Sequence, residues 1–196
     1  MSKSILKVVG GIVGVIVLIV VSVFILTKAG VDFSSVIKFA VSFEEKAKRQ
    51  SPPAIAAGNI RGASIAVEYG QPVKNGRDIF GKLIPYGELW RTGANEATEI
   101  TVSKDMIFAG KLLKAGRYEL FTIPTAEKWT IIFNSKLGQW GEFYYDPKSD
   151  VLRVEVPSVS NDTLLERLTL QIETSPSEGL SIAWDKTRVF VPITAP

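Results

Sequence analysis

Hydrophobic and polar positions divide this chain into three stretches. Residues 8–26 read VVGGIVGVIVLIVVSVFIL and carry no charge. A helix needs about 20 apolar residues to cross the hydrocarbon core of a bilayer, so this run predicts a membrane-spanning helix. It is longer than the apolar core of a cleaved secretory signal, roughly 7–15 residues. It leaves through Phe24-Ile25-Leu26-Thr27-Lys28, which offers no small-x-small cleavage site. The expectation is an uncleaved signal anchor over residues 1–31, with a cleaved signal as the alternative.

Residues 32–50 change character. Asp32 or Ser34 is placed to cap a helix in which Phe33, Val36, Ile37, Ala40 and Val41 share one face. The segment then turns charged through Glu44, Glu45, Lys46, Lys48 and Arg49, and it must stop before Pro52-Pro53. This predicts a short amphipathic juxtamembrane helix and linker. It lies on the membrane, packs on a partner, or continues the anchor as a stalk.

From residue 51 to 196 the period becomes two. Ile65, Val67 and Tyr69 alternate with Ala66 and Glu68, as in a half-buried strand. Further strands are expected over 98–103, 106–109, 117–123, 128–134, 151–156, 165–173, 180–184 and 188–193. Turn residues punctuate them at Lys104-Asp105, Ala115-Gly116, Pro124-Thr125, Ser175-Pro176 and Asp185-Lys186. Many short strands so separated predict an all-β domain, an antiparallel, jelly-roll-like β-sandwich. Tyr118, Phe121, Trp129, Phe133 and Trp184 fall at strand spacing and are assigned to its core.

One stretch breaks the alternation. Residues 75–97 read NGRDIFGKLIPYGELWRTGANEA, with Gly at 76, 81, 87 and 93. Long irregular connections in a compact domain are often functional. Arg77 and Arg91 suit an anionic group, Tyr86 and Trp90 a flat apolar or sugar face, and Asn95 and Glu96 directional hydrogen bonds. The same residues also suit a purely structural role, with Trp90 plugging the core and Arg91 paired with Glu96 or Glu68.

Charge and composition narrow the chemistry. Three of the 23 basic residues, Lys3, Lys7 and Lys28, flank the apolar run, where no acidic residue stands; the remainder carries 20 basic against 20 acidic residues. With no basic stripe to neutralise phosphates, nucleic-acid binding is not expected. The chain has neither Cys nor His. That removes thiol nucleophiles, Ser-His-Asp triads and thiolate or imidazole metal sites. No acidic run has the spacing of a calcium loop, so no metal and no cofactor is expected.

Lys3, Lys7 and the terminal amine precede the apolar run, which favours the N-terminus inside the cell. The following domain is then expected on the periplasmic side of the cytoplasmic membrane. Gly10 and Gly14 form a small-xxx-small pair that lets two membrane helices approach closely. They point to self-association or to a membrane-protein partner, in addition to the bilayer around residues 8–26.

The soluble part also resembles a bacterial family, the domain of unknown function 2911. The resemblance is carried by Gly76-Arg77, Ile79-Phe80-Gly81, Pro85-Tyr86-Gly87 and the run Trp90-Arg91-Thr92-Gly93-Ala94-Asn95-Glu96-Ala97-Thr98. Ala115-Gly116, Tyr118, Leu120-Phe121-Thr122-Ile123-Pro124 and Trp129-Thr130 follow in order, and it extends from Ser51-Pro52-Pro53 to about Pro192. It implies a cell-envelope protein of Bacteroidota-like bacteria, usually exported by a signal, and no settled activity. The long anchor departs from that pattern.

Three functions fit these observations. The first is a membrane-anchored β-sandwich binding a small ligand or glycan through the 76–98 loop. The second is an accessory or structural subunit of an envelope membrane complex. The third is a carboxylate-dependent hydrolase using Glu88, Glu96 or Glu99; no spacing singles out a catalytic pair.

Overall fold

The computed structural model describes Ser42 and residues 45–196. The expected anchor, the amphipathic face 33–41 and the Gly10/Gly14 pair lie outside the described residues. Among the described residues no helix is long and apolar enough to cross a membrane. The chain divides into two compact units, Met1–Lys48 and Arg49–Pro196. Of the first, residues 45–47 form the end of a helix, closed by the Lys48 amide donating to the Glu45 carbonyl at 3.3 Å.

The second unit is all β. Its strands are β1 (Pro53–Ile60), β2 (Ala63–Gly70), β3 (Thr98–Val102), β4 (Met106–Phe108), β5 (Lys111–Leu113), β6 (Gly116–Pro124), β7 (Lys128–Asn134), β8 (Asp150–Glu173) and β9 (Gly179–Thr194). A single 3₁₀ turn, Pro147–Ser149, precedes β8. The strands form one large, open, antiparallel sheet in the order β1-β2-β3-β6-β7-β8-β9-β4-β5. The β1–β2 and β4–β5 hairpins turn on two left-handed residues each, Arg61-Gly62 and Ala109-Gly110. Such turns match the natural twist of paired strands.

The alternation read in β2 is real: Ala63, Ile65, Val67 and Tyr69 are buried. β1 departs from expectation, since PAIAAGNI carries few large apolar residues and no clean alternation. The segments 151–156 and 165–173 belong to one 24-residue strand, and 180–184 and 188–193 to one 16-residue strand. Their polar middles gave the appearance of breaks. Backbone pairing passes through these regions with register shifts between Ser160 and Leu165 and between Leu165 and Thr169. Asp185, expected in a turn, sits inside β9 at a φ of 55° and pairs with Leu165.

These irregularities let β8 change partners. Asp150–Pro157 pairs with β7, and the later part pairs with β9. The second half of β8 also meets the first hairpin. The Leu170 amide donates to the Tyr69 hydroxyl at 3.2 Å, and a Cβ placed on Gly58 would stand 2.7 Å from the Ile172 side chain. One main core results, to which all nine strands contribute, together with Ile79 and Trp90 of the β2–β3 connection. Trp129, Trp184, Phe108, Phe121 and Phe133 are fully buried, and Tyr118 nearly so. Each large side chain withdrawn from water contributes about 1.5–3 kcal/mol.

Candidate functional site

The connection between β2 and β3 is long but not loose. Trp90 and Thr122 of β6 exchange both backbone hydrogen bonds at 2.8 Å. The Gly87 amide donates to the Pro124 carbonyl, the Lys74 amide to Glu166 and the Ala97 amide to Gln139. The segment Trp90–Thr98 is tied to itself as well. The Trp90 indole N–H donates to the Gly93 carbonyl at 3.1 Å, and the Thr98 hydroxyl to the Thr92 carbonyl at 3.0 Å.

Glycine makes this packing achievable at two places. A Cβ at Gly70 would stand 2.0 Å from the Ala94 carbonyl oxygen, and one at Gly93 2.8 Å from Thr98 Oγ1. Between them Thr92, fully buried and β-branched, holds a φ of 55°. That conformation costs a β-branched residue roughly 1–3 kcal/mol and persists only where the surroundings impose it. Here Thr92 Oγ1 donates to Thr122 Oγ1 at 3.1 Å.

This loop lines a cleft of about 500 Å³. Its apolar lining includes Val73, Ile84, Leu89, Trp90 and Trp184; Arg77, Glu88, Arg91 and Glu142 bring charge of both signs. A volume of this size, largely apolar with a few polar groups, is typical of small-molecule sites.

The expected site residues separate into two groups. Arg77, Trp90 and Arg91 all line the cleft. Arg77 is braced by its own turn, donating from Nε to the Lys74 carbonyl at 3.0 Å and from Nη2 to the Val73 carbonyl at 2.5 Å. Trp90 is 5% exposed and belongs to the core, stacked on Trp184 at 6.2 Å and edge-on to Phe80 and Trp129. Arg91 pairs with neither Glu96 nor Glu68. Its Nη1 meets Glu142 Oε2 at 2.5 Å, and its buried Nε has no hydrogen-bond partner.

Tyr86, Asn95 and Glu96 serve elsewhere. The Tyr86 ring covers Gly81. Asn95, at a φ of 66°, donates from Nδ2 to the Ser51 carbonyl at 2.9 Å. Glu96 accepts from Arg49 Nη1 through both oxygens, at 3.0 and 2.8 Å. Of the carboxylates considered for hydrolysis, Glu88 lines the cleft, whereas Glu99 pairs with Arg117 across β3 and β6. The second carboxylate of the cleft is Glu142, outside the 75–97 stretch. Its signal was a second aperiodic segment, WGEFYYDP, between two strands. Among the described residues no cluster of three or more His, Cys, Asp or Glu side chains gathers to hold a metal ion.

Below the Glu142 segment lies a buried polar pair. Glu119 of β6 is fully buried and accepts from the Gln139 amide at 2.7 Å and from Gln139 Nε2 at 2.5 Å. Burial pushes its carboxyl above the ordinary glutamate range, and the two bonds from Gln139 oppose this without cancelling it.

A family model described as "Protein of unknown function (DUF2911)" matches residues 51–193. The chain belongs to the DUF2911 family. The match takes in β1 to β8, β9 up to Ile193, the Glu142 segment and every residue of the cleft lining except Gln50. No curated protein and no solved structure matches the chain.

Proposed function

We propose that this protein is a membrane-anchored DUF2911 domain, held on the periplasmic side of the cytoplasmic membrane, that binds a small ligand or glycan in the cleft beside Arg91. One observation carries the reading. The aperiodic segment that concentrates arginines and aromatics in sequence lines a cleft of ligand size, with Arg91 and two indoles in its lining. A bound carboxylate or phosphate would be met by Arg91 and Arg77, and an apolar or sugar face by the lining of Leu89, Trp90 and Trp184. The strained Thr92 and the Glu142 carboxylate position Arg91 before any ligand arrives.

The sheet in this reading is a jelly-roll-like sandwich, with β1 and β2 facing the second half of β8; the approach of Gly58 to Ile172 supports it. The uncharged run 8–26 with its flanking lysines supports the anchor and the orientation.

Native mass spectrometry of the full-length protein, extracted gently from its own membranes, tests the ligand. A small bound mass is expected on the wild type and is lost from Arg91→Gln protein whose melting temperature is preserved. A stoichiometric protein partner with no small mass would overturn the reading in favour of a complex subunit.

A further inference from the structure

The connection between β7 and β8, residues 135–149, presents four large apolar side chains to solvent. Leu137 is 42% exposed, Trp140 52%, Phe143 76% and Tyr144 68%. Such a concentration within eight residues differs from the scattered exposed apolar residues of any surface. Trp140 is also the sole exposed tryptophan among the described residues, since Trp90, Trp129 and Trp184 are buried.

The segment is braced to hold these rings outward. Gln139 is buried against Glu119, and Tyr145 packs edge-on against Phe121 with ring centroids 5.0 Å apart. The Tyr145 hydroxyl donates to Asp150 Oδ2 at 2.6 Å and accepts from Arg153 Nη2 at 2.7 Å. Asn134 Nδ2 donates to the Asp146 carbonyl at 2.9 Å and to Asp150 Oδ1 at 2.8 Å. Lys136 Nζ closes the segment on the Tyr144 carbonyl at 2.7 Å. The inward residues are therefore fixed by polar and aromatic partners, and the outward rings cannot fold under without breaking them.

We propose that this braced aromatic segment rests on the lipid surface of the bilayer that carries residues 8–26, a placement that relies on the anchor reading above. Two observations select lipid as the occupant. The first is continuity of the chain. The domain begins at Arg49, whose guanidinium lies 5.6 Å from the centroid of the Trp140 ring. The aromatic surface thus adjoins the first residue of this unit, which follows the apolar run in sequence after residues 27–48. The second is chemistry. Trp and Tyr rings with a polar tip settle at the headgroup level of membranes, and Phe and Leu reach below it. Lys136 and Lys148 of the same connection are exposed and suit anionic headgroups; of its two acids, Glu142 is paired with Arg91 and Asp146 is half-buried, accepting from the Lys148 amide. Glu142, Gln50 and Ser51 also line the cleft, so this placement turns the cleft toward the membrane surface.

The test reconstitutes full-length protein in nanodiscs of phosphatidylcholine and phosphatidylglycerol, with and without acyl-chain bromination, and reads tryptophan fluorescence. Residues 8–26 contain no Trp, so Trp140 is the reporter. Brominated lipid is expected to quench part of the wild-type emission. Trp140→Phe abolishes that quenching with the melting temperature unchanged, and Phe143→Ser/Tyr144→Ser reduces it while keeping the reporter. Incorporation without lipid quenching, with Trp140 instead quenched by acrylamide from water or shielded by a co-purifying protein, overturns the proposal. Failure to incorporate refutes the anchor alone. The same protein added to vesicles of these lipids then decides the segment, which quenching supports and its absence overturns.

Discussion

Arg91 is held from two directions, and neither partner is near it in sequence. Its guanidinium meets Glu142, 51 residues away, while the adjoining Thr92 is locked at a positive φ by Thr122. The residue types in Trp90–Thr98 were sufficient to mark the segment, because Arg, Trp and Gly concentrate where alternation fails. Their partners were not legible, because Arg49–Glu96 and Arg91–Glu142 are set by strand order, which no local pattern encodes. The buried Glu119 was equally hidden, since Tyr118-Glu119-Leu120 reads as ordinary strand alternation. Its elevated titration has a consequence for stability. The folded protein retains a proton that the unfolded chain releases, so the contribution of Glu119 is full below about pH 4.5, the ordinary glutamate value. It is lost as pH rises through the folded-state value. Melting curves from pH 4 to 8 should therefore show wild-type stability declining relative to Glu119→Gln as pH rises. Parallel curves for the two proteins would show that this carboxyl does not titrate abnormally.

At the scale of elements, strands with one buried face were readable and those with other constraints were not. β2, β3, β6 and β7 fall where alternation placed them. β1 escaped because small residues dominate it, and β5 because its three residues are too few to show a period. β8 and β9 each looked double because polar middles interrupt their apolar ends, although the backbone pairing runs on across the bulges. The β2–β3 loop owes its ordered path to close backbone approach. At Gly70 the obstruction to a Cβ is the Ala94 carbonyl, a backbone atom that cannot swing aside. Gly70→Ala should therefore lower stability by about 1–3 kcal/mol, the usual cost of overpacking, read as a fall in the denaturant midpoint. An unchanged midpoint would mean that the loop relaxes freely, and the rigidity ascribed to the cleft would be wrong.

At the scale of the whole Arg49–Pro196 unit, one open sheet carries a main core and a small second cluster of Ala97, Phe121 and Ile132, and a long loop contributes Ile79 and Trp90 to the main one. The cleft lies where that loop, the residues just before β1 and Trp184 of β9 meet, and the aromatic segment adjoins it through Glu142. The DUF2911 match covers residues 51–193, which include every residue of the cleft lining except Gln50. Chain order alone pointed to an all-β domain after an apolar run. The bending of β8 and the meeting of two aperiodic segments required the fold. A crystal structure of the protein purified from its own membranes is the most direct test of the cleft. Density for a small molecule between Arg91 and the Leu89–Trp184 lining is the expected result. A cleft holding only solvent, with a ligand or partner seated elsewhere on the domain, would contradict it.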